Sequence, residues 1–330
     1  MQTRLALLLA VVVSTSPASA GNFRWIAPDG TVSYSDQPPP GTATVPAPPA
    51  QPSIHVPPPP VTPPRALEAE RPTSGRPATV EEILDLSGVT RQLGALSATL
   101  IAEFKAPASF SPKDRAAIER VTAGHFHSDR LLATITREVR RRHDQPTLDA
   151  AAAWLRSPLG RKITAMEIAA SLTPAAERRA SGPPPSPGRK ALIEQLDWLG
   201  GITESQLDTI VAISRATATN IASVLSPDQR KSPPQIERDL QRTRAQLRAE
   251  VEQATTQFML YQYRTLEDAD LQRFAAFLSS EAGRRYSILM SRALTRAIGA
   301  AATDAARAMI GVVPAQRWRD LAMAPPSPPR

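Results

Sequence analysis

The chain has no cysteine. That absence excludes thiol nucleophiles, thiolate zinc sites, covalent haem attachment and disulfide crosslinks, so stability has to come from packing alone. Aromatic residues are scarce at 5%, against a hydrophobic fraction of 42%. A core must therefore be built mainly from Ala, Leu, Ile and Val, a composition that favours helices over sheets. Long apolar runs are also missing. Leu5 to Val13 is too short to span a bilayer, and the Ala-rich stretch from Ala297 to Val313 is interrupted by Asp304 and Arg307. No catalytic constellation, metal-ligand set or phosphate-binding loop stands out, so neither a cofactor nor a metal is expected.

What is present begins with an export signature. Arg4 supplies a positive n-region, Leu5 to Val13 an apolar h-region, and Ala18-Ser19-Ala20 a small-residue cleavage site. Residues 1–20 are expected to be removed after Ala20, giving a periplasmic chain that starts at Gly21. No Cys follows the apolar run to accept a lipid. Loss of Arg4 lowers the net charge from +8 to +7. A basic exported protein is drawn to polyanions such as phospholipid or lipopolysaccharide headgroups and wall polymers. No specific nucleic acid is expected as a partner.

Phe23 to Pro39 holds two short alternating runs, rich in aromatic and β-branched residues, that flank Asp29-Gly30. Gly supplies the positive φ of a hairpin turn, so residues 21–41 are expected to form a small β-hairpin. This stretch resembles the exported family known as domain of unknown function 4124, with its aromatic, Trp, Asp-Gly turn, then Tyr-Ser-Asp and prolines. Trp25 and Tyr34 can stack on a sugar or peptide while Asp36 accepts a hydrogen bond. Alternatively Trp25 and Tyr34 pair across the hairpin and Asp36 makes a local turn bond.

Residues 42–78 are dense in proline, as in Pro57 to Pro60. Lacking backbone donors, such a segment favours an extended polyproline form and serves as a spacer. Helical signals follow. Thr79-Val80-Glu81-Glu82 is a capping box, with an apolar row through Ile83, Leu86, Val89, Leu93, Leu96, Leu100 and Phe104 predicting one long helix. Ser111-Pro112 opens the next helix and Ser128 caps a third. A second linker lies at 181–188, a long helix at 235–263 carries heptad-like spacing, Thr265 caps its successor, and the last helix runs to about Gly311 before Pro314. Residues 314–330 are expected to be a disordered tail.

One motif occurs twice. Trp154-Leu155-Arg156-Ser157-Pro158-Leu159-Gly160-Arg161-Lys162 returns as Phe277-Leu278-Ser279-Ser280-Glu281-Ala282-Gly283-Arg284-Arg285, an offset of 283 minus 160, or 123. In each copy Ser can cap a second helix, and Gly, lacking a Cβ, permits close approach by another helix: the pattern of a helix corner. Leu196-Asp197-Trp198-Leu199-Gly200 likewise echoes Leu84-Asp85-Leu86-Ser87-Gly88. The helical region resembles domain of unknown function 2059, a helical family of exported bacterial proteins, in two copies at about Val80 to Ala180 and Ala191 to Val313. That resemblance carries no activity and no catalytic residue. The fold expected is mainly α: two related helical bundles, 79–180 and 189–313, after a small N-terminal β-hairpin and a proline-rich linker.

The candidate binding residues are Trp25, Tyr34 and Asp36 in the hairpin and the cation pairs Arg161 with Lys162 and Arg284 with Arg285, which can take phosphate or carboxylate near a helix start. His125 and His127 point about 200° apart on a helix, which does not suit a metal. The function expected is a non-enzymatic envelope adaptor that recruits an envelope protein or an anionic envelope polymer. The alternatives are electrostatic binding to an anionic lipid or lipopolysaccharide surface, and a hydrolase assembled from distant residues.

Overall fold

A computed structural model describes residues 76–104, 106, 109–174 and 185–323, together with the backbone of 23–26 and 32–35. The chain divides into a unit at Ser14–Pro59, which holds the two strands, and a larger unit that holds the helices. Strand β1 (Phe23–Ile26) pairs antiparallel with β2 (Val32–Ser35), setting Arg24 against Tyr34 and Trp25 against Ser33. Trp25 and Tyr34 are therefore not cross-strand partners. Asp36, the Asp29-Gly30 turn, the export signal and the proline-rich stretch up to residue 75 lie outside the described residues.

The first half of the helical unit comprises α1 (Val80–Leu86), α2 (Val89–Glu103), α3 (Pro112–His125), α4 (Ser128–Arg142), α5 (Gln145–Arg156) and α6 (Pro158–Leu172). The second comprises α7 (Pro187–Gly200), α8 (Ile202–Val224), α9 (Pro233–Gln262), α10 (Asp268–Ser279), α11 (Glu281–Val312) and α12 (Ala315–Met323). Thr79 caps α1 by accepting from the Glu82 amide at 3.2 Å. The expected single helix through Phe104 is instead broken at Gly88, whose φ of 73° ends α1 and starts α2 in another direction. Gly201, at φ 61°, does the same between α7 and α8.

Two expected caps move by a residue or two. His127, not Ser128, stands at the start of α4, its Nδ1 accepting from the Asp129 amide, because Ser128 has already entered the helix. Glu267, not Thr265, precedes α10. Beyond Pro314 the chain resumes as α12, whose Trp318 is buried edge-on against Phe110 at 5.1 Å.

The repeated motif forms the same corner twice. Ser157 and Ser280 share an extended backbone (φ −63°, ψ 156° and φ −66°, ψ 157°), and each hydroxyl accepts from the glycine amide three residues on at 3.0 Å. A Cβ on Gly160 would lie 2.1 Å from the Trp154 carbonyl oxygen, and one on Gly283 2.0 Å from that of Phe277. What each glycine admits is thus the end of its own preceding helix, not a separate helix as the sequence pattern led us to expect. The burial pattern follows the same offset: Leu148, Ala152 and Leu155 are buried on α5, as are Leu271, Ala275 and Leu278 on α10.

Helix α11 is the common element of two interacting helical clusters, α3/α4/α11 and α8/α9/α11. Its 32 residues extend roughly 48 Å at 1.5 Å per residue. A row of small buried residues, Ala293, Ala297, Ala301 and Ala305, lets neighbours approach closely. At Gly299 an added Cβ would sit 3.3 Å from that of Ala212 on α8. The main core joins Ile83, Leu93, Leu131 and Val139 of the first half to Ile213, Ala297 and Ala302 of the second. Both halves of the helical unit therefore draw on one hydrophobic core.

Candidate functional site

The two corners touch. The Trp154 ring stacks on Phe277, its equivalent at the 123-residue offset, with centroids 4.6 Å apart and planes 5° from parallel. Phe274 continues the stack at 6.0 Å. Ion pairs cross in both directions. Lys162 of the first corner reaches Asp270 at the start of α10 (3.2 Å), and its equivalent Arg285 reaches Asp144 at the start of α5 (4.0 Å) while also pairing with Glu281 (2.7 Å). The acids themselves do not correspond at that offset, where Asp270 falls on Thr147 and Asp144 on Glu267. The two pairs assign Lys162 and Arg285 to holding the corners together.

The remaining cations of the two pairs diverge. The Arg161 guanidinium donates to the Arg156 carbonyl and closes its own corner. Arg284, its equivalent, opens instead onto a groove of about 460 Å³ between the α7–α8 turn and α11. Along α11 the groove is lined by Arg284, Ile288 and Arg292, spaced at i, i+4 and i+8 and so on one face. Trp198 forms the facing wall. Among large hydrophobic side chains Trp198 and Ile288 are unusually exposed, at 51% and 50%. Among the described residues neither the Arg284 nor the Arg292 guanidinium has a hydrogen-bonding or ionic partner.

Local folding explains this wall. Asp197 is buried and accepts from the Thr203 amide (2.8 Å) and hydroxyl (2.6 Å), capping α8 across the left-handed Gly201. Pinning Asp197 inward turns its neighbour Trp198 out over the groove. The acidic residues of the groove are engaged elsewhere. Glu204 accepts from Arg248 (2.5 Å) and Arg244 (2.7 Å), and Asp208 accepts from Arg244 (2.9 Å). The Arg248 hydrogen bond, aided by Arg244, holds the Glu204 carboxyl below its usual range. Arg296 is bonded to Glu138 at 3.0 Å. The uncompensated charge of the groove is therefore positive, from Arg284 and Arg292.

A second chemically unusual group lies away from the groove. Glu167 on α6 accepts from the Tyr263 hydroxyl at 2.7 Å, and burial pushes its carboxyl up to about 7 against that hydrogen bond. Burial and the nearby Glu167 also raise the Tyr263 and Tyr286 hydroxyls. The Tyr263–Glu167 hydrogen bond ties α6 to the α9–α10 junction. His125 and His127 serve the α3–α4 turn, contacting Arg130 (3.2 Å) and Asp129 (3.6 Å). Among the described residues no cluster of His, Asp and Glu has the makings of a metal site, and no helix is long and apolar enough to cross a membrane.

Of the candidate residues named from sequence, the structure thus places Arg284 at an open cavity and Arg161, Lys162 and Arg285 in structural contacts. Trp25 and Tyr34 are described in backbone only, and Asp36 lies outside the described residues. Trp198, Ile288 and Arg292 were missed. A signal existed: Trp198 stands where the earlier echo has Leu86, a departure toward a larger and more exposed side chain.

A family model described as Domain of unknown function (DUF4124) matches residues 5–78. No curated protein and no solved structure matches the chain. The family match ends two residues before α1 and so speaks for the N-terminal segment alone. It lends no support to a resemblance of the helical region to domain of unknown function 2059.

Proposed function

We propose that the protein is an exported, non-enzymatic binding protein of the cell envelope whose helical unit holds an anionic partner in the α7–α8/α11 groove. One observation carries this reading: among the described residues Arg284 and Arg292 have no partner, and they stand beside the exposed Trp198 and Ile288. An apolar surface flanked by free guanidiniums fits a ligand with a carbon framework and negative ends. A hydrolytic reading finds less support, because Glu204 and Asp208 are committed to Arg244 and Arg248 and Glu204 is held ionised below the neutral range. The export signal and its cleavage after Ala20 belong to the same proposal. So does the origin of the helical unit in two related copies, supported by the matching corners and their common offset.

Retention on immobilised polyphosphate across a salt gradient tests it. Arg284→Ala and Arg292→Ala are expected to elute at clearly lower salt than Arg307→Ala, which removes an equal charge outside the groove. Equal elution of all three variants contradicts the groove as the anion site and leaves only the general basic charge.

A further inference from the structure

Building on that anion-binding reading, the geometry points to a specific ligand class: a saccharide headgroup carrying two phosphates, one for Arg284 and one for Arg292. Eight residues separate the two arginines, which is about 12 Å along α11 at 1.5 Å per residue. With each side chain extended along its own radius of the helix the two guanidiniums stay separate, and two phosphates joined by a rigid body then give each one the forked contact for which its geometry is suited. Trp198 offers an indole surface to the ring carbons of a sugar, while Ser287 and Ser291 supply hydroxyls to its oxygens.

The walls argue against an extended acidic peptide. Apart from the α7–α8 turn they are helices, whose backbone amides are consumed internally, so a peptide strand laid in the groove would lose water from its own amides and regain few partners. A sugar turns polar edges outward and carbon faces inward, and it meets mostly side chains here. The concave shape also argues for an isolated headgroup entering the groove over contact with a flat charged bilayer. The other charges of the site are already settled: Arg296 by Glu138, and Glu204 with Asp208 by Arg244 and Arg248. The two phosphates therefore meet the two positive charges that stand without a partner among the described residues.

The test is calorimetric titration of the full chain from Gly21 with a glucosamine disaccharide phosphorylated at both ends, the same disaccharide with one phosphate, inorganic phosphate, and a decapeptide of alternating Glu and Leu. The doubly phosphorylated sugar is expected to bind roughly tenfold or more tightly than the singly phosphorylated one, because the second contact is intramolecular. Arg284→Ala and Arg292→Ala should each erase that advantage, whereas Arg307→Ala should preserve it. Both groove side chains are exposed, and unchanged thermal melting of the variants confirms intact folding. Equal affinity for the two sugars, with both still weakened by the arginine variants, overturns the bisphosphate inference and leaves the anion groove standing. Tighter binding of the peptide overturns it in favour of a protein partner. Indifference of every probe to both arginine substitutions sinks the groove reading as well.

Discussion

Among the carboxyls of the described residues, Glu167 is the one that burial raises. Its carboxyl is pushed up from 4.5 to about 7 by burial. Between those values the folded chain binds a proton that the unfolded chain has released, so this residue's stabilising contribution is complete below about pH 4.5 and is lost as pH rises through about 7. A shift of that size corresponds to roughly 3 kcal/mol. Glu167→Gln keeps an acceptor for Tyr263 and removes the titration. The variant is expected to match the parent in urea unfolding near pH 4.5 and to exceed it above pH 7. An offset that does not change with pH would mean that Glu167 ionises freely. The carboxyls of Glu82, Glu138 and Glu237 are lowered by hydrogen bonds, chiefly from Arg156, Arg296 and Gln241 respectively, and act in the opposite direction, so the difference between variant and parent is what isolates Glu167.

At the scale of elements, the corner shows what sequence spacing conveys. Serine at the cap, proline or glutamate next, and glycine three residues on were enough to place α5–α6 and α10–α11, because capping is a local transaction between adjacent turns. Gly88 broke an apolar row that read as one helix, since periodicity records which side is apolar and not where the chain turns. Substitution by Ala separates the roles of glycine. Gly160→Ala and Gly283→Ala drive a methyl into a carbonyl and are expected to cost about 1–3 kcal/mol or more in denaturant unfolding. Gly94→Ala, exposed within α2 and with nothing within 4 Å of the added carbon, should instead stabilise by about 0.5–1 kcal/mol. Loss of stability at all three positions alike would argue against the close approach at the corners.

For the whole molecule, sequence made the repeated corner motif visible but not how the helices around it pack. A helical face tells nothing of its partner, so α11 read as the last helix of a second bundle. Its small residues instead complete a core begun by α1 to α5. A fragment of residues 76–174 is accordingly expected to keep helical circular dichroism yet bind hydrophobic dye and unfold without a sharp transition. Cooperative unfolding of that fragment would show that the first half carries a sufficient core of its own. The groove was illegible for a related reason. Whether an arginine is free depends on which acids the fold delivers to it, and the pairs that neutralise Arg244 and Arg296 join residues far apart in the chain. The most direct measurement of the functional claim is fluorine NMR of the full chain labelled with 5-fluorotryptophan. Its four indoles, Trp25, Trp154, Trp198 and Trp318, are to be assigned by single Phe substitutions and titrated with inorganic tripolyphosphate. The account predicts that the Trp198 resonance moves, that salt reverses the movement, and that Arg284→Ala abolishes it. A Trp198 resonance that stays fixed while the chain binds the anion would contradict it.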